Sequence, residues 1–174
     1  MSPAIIGVDP GLDGALVMLI DGACAWQVRI CDIAADGWRP GVARLLADHI
    51  GDALEQAFAL PVVAYVERAS TRPGQGAALT TGIGYGLVLG VVDARVRTYE
   101  VTPPSWRRAA GFPAHPATPE GRKAAKGDAV SWASQVPALT LIFPKCRTPH
   151  EGTADAACIA YAGANLEARK TGES

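Results

Sequence analysis

Short apolar bursts separated by turn residues occupy the first thirty positions. Residues 3–9 carry Ile5, Ile6 and Val8, the pattern of a strand. Residues 10–14 form a turn by their Pro, Gly and Asp content. Residues 15–20 predict a second strand, Asp21-Gly22 is a hairpin signal, and residues 23–30 predict a third strand with Trp26, Val28 and Ile30 on one face. Together these read as an antiparallel meander. The period then lengthens: Val42, Leu45, Leu46, Ile50, Leu54 and Phe58 recur at helical spacing and predict a helix over 40–58. Residues 62–67 are nearly all apolar, as in a strand buried on both faces. A polar loop over 68–76, a helix of small residues over 77–94 and a strand over 96–101 follow. Thr102-Pro103-Pro104 breaks that strand, and Ser105 is placed to cap a short helix carrying Trp106, Arg107 and Arg108. Residues 111–120 read as loop, 122–136 as helix, 137–149 as irregular chain and 153–168 as the last helix.

This order has a chemical consequence. A strand reached through a helical crossover lies parallel to an earlier one. If residues 62–67 pair with residues 3–9, Asp9 and Glu67 end adjacent strands at the edge where open sheets place their sites. Two carboxylates so close raise a pKa or demand a cation, and a hard divalent ion held by oxygens meets that demand. Glu151 and Asp155 share a helix face if the last helix reaches back to Glu151, and His150 precedes them. Three or four acids at one edge suit two metal ions about 4 Å apart, an arrangement that serves phosphodiester cleavage. Each acid also has a plainer explanation. Asp9 can start a turn, Glu67 can be a surface acid beside Arg68, and Glu151 and Asp155 suit a helix N-terminus by its dipole. Asp13 is read as a turn residue pointing away from Asp9.

The 174 residues, 49% of them hydrophobic, predict one domain spanning 1–174 with a sizeable core. No apolar run approaches the ~20 residues of a membrane span, so no membrane partner is expected. The N-terminus lacks the basic start of a signal peptide, which makes the cytoplasm the expected location. Cys24, Cys31, Cys146 and Cys158 form no C-x-x-C pair and read as buried apolar residues. Net charge is −1, yet it is segregated: −5 over residues 1–60 and +6 over 95–147. A basic stretch of that kind fits a polyanion, although a solvated basic surface explains it equally well.

The segment Ile5-Ile6-Gly7-Val8-Asp9-Pro10-Gly11-Leu12-Asp13-Gly14-Ala15 resembles the opening motif of RuvC-type Holliday-junction resolvases. Tyr65-Val66-Glu67 resembles their second acidic strand, and residues 152–160, Gly-Thr-Ala-Asp-Ala-Ala-Cys-Ile-Ala, resemble their last helix. Residues 81–87 are similar to a segment of the bacteriophage and chloroplast members. The resemblance spans about residues 4 to 164. It implies an α/β, RNase H-like fold, a mixed five-stranded sheet with helices on both faces. It also implies a homodimer that cuts four-way DNA junctions symmetrically, with Mg2+ or Mn2+, two ions per site, in DNA recombination and repair, inside a bacterium or a phage-infected cell. Asp9, Glu67 and Asp155 take the three acid positions. Bacterial members often carry Asp or His three residues before the last acid, where this chain has Gly152. Some phage and chloroplast members place a ligand four residues before, which is Glu151; His150 is the alternative.

Beside the family reading, the loop after Glu67 offers Arg68, Arg72 and Gln75 to phosphates or bases, or is simply a surface loop. Arg107, Arg108, Arg122, Lys123 and Lys126 are candidates for phosphate contacts, with Trp106 and Trp132 between them read as core. Asp128 reads as a local charge, and Gly82, Gly84 and Gly86 as small residues that let a helix pack closely on the sheet or a partner subunit. The rival functions are a junction-binding protein with weak catalysis and a ribonuclease of the same fold acting on RNA–DNA hybrids.

Overall fold

Strand β1 (Ala4–Asp9) is the centre on which the other elements are laid. The computed structural model describes residues 2–69, 78–144 and 146–172. β1 pairs antiparallel with β2 (Ala15–Ile20), which pairs antiparallel with β3 (Ala23–Arg29). On its other side β1 pairs parallel with β4 (Val62–Glu67), and β4 pairs parallel with β5 (Arg97–Val101). The sheet order is β3-β2-β1-β4-β5. The expected meander and the expected β1–β4 crossover are both present.

Alternation along β1 sorts its side chains to two faces. Ala4, Ile6 and Val8 pack with α1 (Ile30–Ile33), α2 (Val42–Gln56) and α3 (Ala78–Asp93). Ile5 faces the core shared with α4 (Pro103–Ala109), α5 (Pro119–Ala133) and α6 (Glu151–Thr171). Helices therefore cover both faces, and the fold is the expected mixed five-stranded α/β architecture. None of its helices, among the described residues, is long and apolar enough to cross a membrane.

Several boundaries differ from the sequence reading. The third strand stops at Arg29, whose guanidinium bonds both carboxylate oxygens of Asp32, and a helical turn begins at Ile30. Thr102, not Ser105, occupies the cap of α4. Pro103 then opens the helix, and the Ser105 hydroxyl accepts from Thr102 N–H and donates to Thr102 O. α5 starts at Pro119 because Thr118 Oγ1 accepts from Gly121 N–H at 3.1 Å. α6 reaches back to Glu151, capped by the His150 ring. The four cysteines do not all lie inside: Cys24 and Cys158 are buried, Cys31 is half-buried and Cys146 is exposed.

Candidate active site

The two strand-end acids face the same side for a reason visible in the register. Val63 and Tyr65 point to the α4–α6 face, so Glu67, two residues on, does too. Ile5 points there as well, and Asp9 shares its parity. At Gly7, between them, a Cβ would stand 2.0 Å from Ala156 O and 2.3 Å from Ala160 N. β1 and α6 are thus in backbone contact, which only a glycine allows, and this brings the first turns of α6 to the ends of β1 and β4. Asp155 stands there, and it interacts electrostatically with both Asp9 and Glu67.

Burial and mutual repulsion govern the charge of these three. Burial pushes Asp9 above the usual carboxylate range, against the Gly11 N–H that donates to its Oδ1 at 3.3 Å and the Lys126 ammonium nearby. Glu67 is pushed up to about 7 by burial, with Asp9 and Asp155 adding to the effect, while the Trp106 indole N–H, donating to Oε2 at 2.6 Å, works against it. Asp155 is also pushed up to about 7, by burial and then Asp9, with Lys126 and Arg107 opposing. All three acids thus resist ionising, and a positive charge beside them would relieve the repulsion between them.

A cleft of about 580 Å³ opens over Asp9 and Asp155. Its walls are the Gly11–Gly14 turn, Lys126 of α5, and the chain from Cys146 to Gly152. Asp13 lines this cleft rather than turning away from it. The turn and α6 meet through backbone: Gly14 bridges Gly152, and a Cβ on Gly152 would stand 2.1 Å from Asp13 O. The glycine that departs from the bacterial pattern is therefore enforced by packing. Glu151 is exposed, on the same helix face as Asp155, and its Oε2 is paired with the Lys126 ammonium. His150 caps α6 by accepting from Thr153 N–H at Nδ1, 3.0 Å. That places the neutral ring's proton on Nε2. Burial, then Arg29, holds the ring below its ordinary pKa, which favours the neutral form that accepts this capping bond.

The carboxylate set is a hard oxygen donor set, suited in chemistry to Mg2+ or Mn2+. As the side chains stand, no group of three His, Cys, Asp or Glu among the described residues converges to hold an ion. Lys126 supplies positive charge beside Asp9 and Asp155 instead.

The basic candidates divide. Arg108, Arg122 and Lys123 are exposed, and Arg68 is exposed beside Glu100 at 3.7 Å. Arg72 and Gln75 lie outside the described residues. Arg107 is turned inward, its side chain 16% exposed, 3.7 Å from Asp128 Oδ2 and 5.2 Å from the ring centroids of Trp106 and Phe112. Asp128 also meets His115 Nε2 at 2.6 Å. Sequence reasoning had no signal for Arg147 and Thr148, which line the cleft from an irregular segment, nor for Trp106 on Glu67.

No family model and no curated protein sequence matches this chain. Solved structures do. Thermus thermophilus RuvC in complex with Holliday junction substrate matches with a TM-score of 0.57 at 17% identity, covering 98% of this chain and 97% of that one. A second Thermus thermophilus RuvC structure matches with a TM-score of 0.55 at 19% identity over the same shares. The fold of this chain is accordingly RNase H-like, as in those structures.

Proposed function

We propose that this chain is a structure-selective DNA endonuclease that resolves four-way junctions. The observation that carries the proposal is that Asp9, Glu67 and Asp155, from β1, β4 and α6, lie close enough to act on one another electrostatically, in a fold similar over nearly its whole length to a junction-bound RuvC. Asp9, Glu67 and Asp155 would hold the divalent cations, with Glu151 as the fourth acid. Gly152 is barred from carrying a ligand by its backbone contact with Asp13, which favours the phage and chloroplast pattern. A bound cation would lower the cost of charge developing on phosphate and water during hydrolysis. In the reaction, water oxygen bonds to phosphorus and the bond to the 3′ oxygen breaks, giving a 5′ phosphate and a 3′ hydroxyl. Lys126, beside Asp9 and Asp155, holds positive charge where the phosphate would enter, and Arg147 and Thr148 line the same cleft and offer further donors. The exposed Arg108, Arg122 and Lys123 would take flanking phosphates.

The same reading requires two subunits, since symmetric cuts need two sites. α3 is the surface offered for pairing. It is apolar around its circumference, Leu79 and Ile83 are 76% and 50% exposed, and among the described residues a Cβ at Gly82, Gly86 or Gly90 would meet nothing within 4 Å. Gly84, by contrast, is covered by the Trp38 ring.

The test is cleavage of a synthetic four-way junction, each strand labelled in turn, with Mg2+ or Mn2+, beside a linear duplex and an RNA–DNA hybrid. Paired symmetric nicks on the junction alone, lost in Asp9→Asn, are expected. Tight junction binding without nicks would mark a binding protein, and cleavage of the hybrid alone a ribonuclease.

A further inference from the structure

The donor on Glu67 is firmly held. Trp106 is 2% exposed and its indole N–H donates to Glu67 Oε2 at 2.6 Å. Glu67 pairs with Val101 at the end of β5, and α4 begins two residues later, so the chain folds back and sets Trp106 against the carboxylate. Both ends of α4 are fastened. Ser105 and Thr102 bond each other at its start, and Asn165 of α6 donates to Ala109 O at its end, 3.0 Å. Phe112 meets the indole edge-on with centroids 6.2 Å apart. A donor fixed this way restrains its acceptor: the carboxylate loses rotation about its last torsion.

We infer that Trp106 is a positioning residue, whose indole N–H holds Oε2 of Glu67 and so orients the carboxylate toward the cation. The inference rests on the reading of Glu67 as a cation ligand. It assigns a function to the indole nitrogen specifically, because a phenyl ring fills much of the same space and donates nothing. Second-sphere donors that orient a ligating carboxylate act in this way, and their loss weakens metal binding while the ligand itself remains.

The experiment is a Mn2+ titration into the full-length protein without DNA, followed by calorimetry, on wild type, Trp106→Phe, Trp132→Phe and Glu67→Gln. Trp106→Phe is expected to bind Mn2+ on the order of 10–100-fold more weakly, with a matching rise in the Mn2+ needed for half-maximal junction cleavage. Trp132→Phe alters the same aromatic row, against Phe112 and Tyr161, and is expected to bind as wild type. If Trp106→Phe binds Mn2+ as wild type does while Glu67→Gln does not, Trp106 is packing only and the inference falls while the nuclease reading stands. If Glu67→Gln also binds as wild type, the reading of Glu67 as a ligand falls and takes the inference with it. Should Trp106→Phe fail to fold, the wild-type protein decides. The Trp106 indole N–H resonance is expected to move on adding Mg2+ further than those of Trp26, Trp38 and Trp132, and an unmoved resonance overturns the inference.

Discussion

At the scale of single residues, the acids work against the fold that holds them. Glu67 and Asp155 have ordinary values of 4.5 and 3.8, and each is pushed up to about 7 in the folded protein, mainly by burial. The folded state therefore binds more protons than the unfolded chain between about pH 4 and 7. Stability must fall as pH rises through that window and level off above it. One unit is worth about 1.4 kcal/mol; between pH 5.5 and 7 each acid loses roughly 1.5 units' worth, and the two share part of one repulsion, so the joint loss over that span is on the order of 3 kcal/mol. In EDTA, thermal unfolding should show a Tm roughly 6–12 °C higher at pH 5.5 than at pH 8. The double variant Glu67→Gln/Asp155→Asn should remove most of that difference, raise Tm at pH 8 and abolish cleavage. A variant that unfolds earlier than wild type at pH 8 would contradict this account.

At the scale of elements, two backbone contacts place the acids: Gly7 against Ala156 and Ala160, and Gly14 against Gly152. Gly152→Asp puts a Cβ 2.1 Å from Asp13 O and 2.7 Å from Gly14 Cα. Backbone cannot yield as a side-chain tip does. We expect a loss of more than about 2 kcal/mol and a Tm lower by at least roughly 4 °C, with no gain in Mn2+ affinity. Scanning calorimetry with Mn2+ titration measures both. The same contacts explain what the sequence does and does not disclose. Short apolar bursts bounded by turn residues made β1 and β2 legible, a nearly continuous apolar run did so for β4, and the crossover rule put Asp9 beside Glu67. Asp155 was legible from helical spacing once α6 reached back to Glu151. Trp106 on Glu67, Lys126 on Glu151 and the inward turn of Arg107 were not. Each joins residues 20 or more apart, on helices whose lie across the sheet no local pattern specifies. The cap of α4 was misplaced because Pro103 reads equally as a strand breaker and as a first helical residue.

At the scale of the whole molecule, charge and apolar surface lie on different elements. Exposed Arg122 and Lys123 stand on α5, which also sends Lys126 to the cleft, so DNA would approach from that side. Arg122→Ala/Lys123→Ala should weaken binding to junctions in Ca2+ and reduce the salt slope of log K by about 1–2, measured from 50 to 200 mM salt. α3 lies on the opposite face of the sheet, with α2, and it leaves Leu79 and Ile83 in water. Burying them against a second copy would leave the α5 side free in both subunits. Three open glycines at four-residue spacing, Gly82, Gly86 and Gly90, let two such helices approach closely. Ile83→Glu would place a charge in the middle of that contact without touching the site, since Ile83 is 50% exposed in the single chain. Sedimentation should then show wild type as a dimer at micromolar concentration and Ile83→Glu as a monomer of unchanged thermal stability. On a junction, the variant should release singly nicked intermediates where wild type gives paired cuts, because each subunit then acts alone. An Ile83→Glu protein that still sediments as a dimer would assign the pairing surface to another face, and a wild type that sediments as a monomer would remove the basis for symmetric cutting altogether.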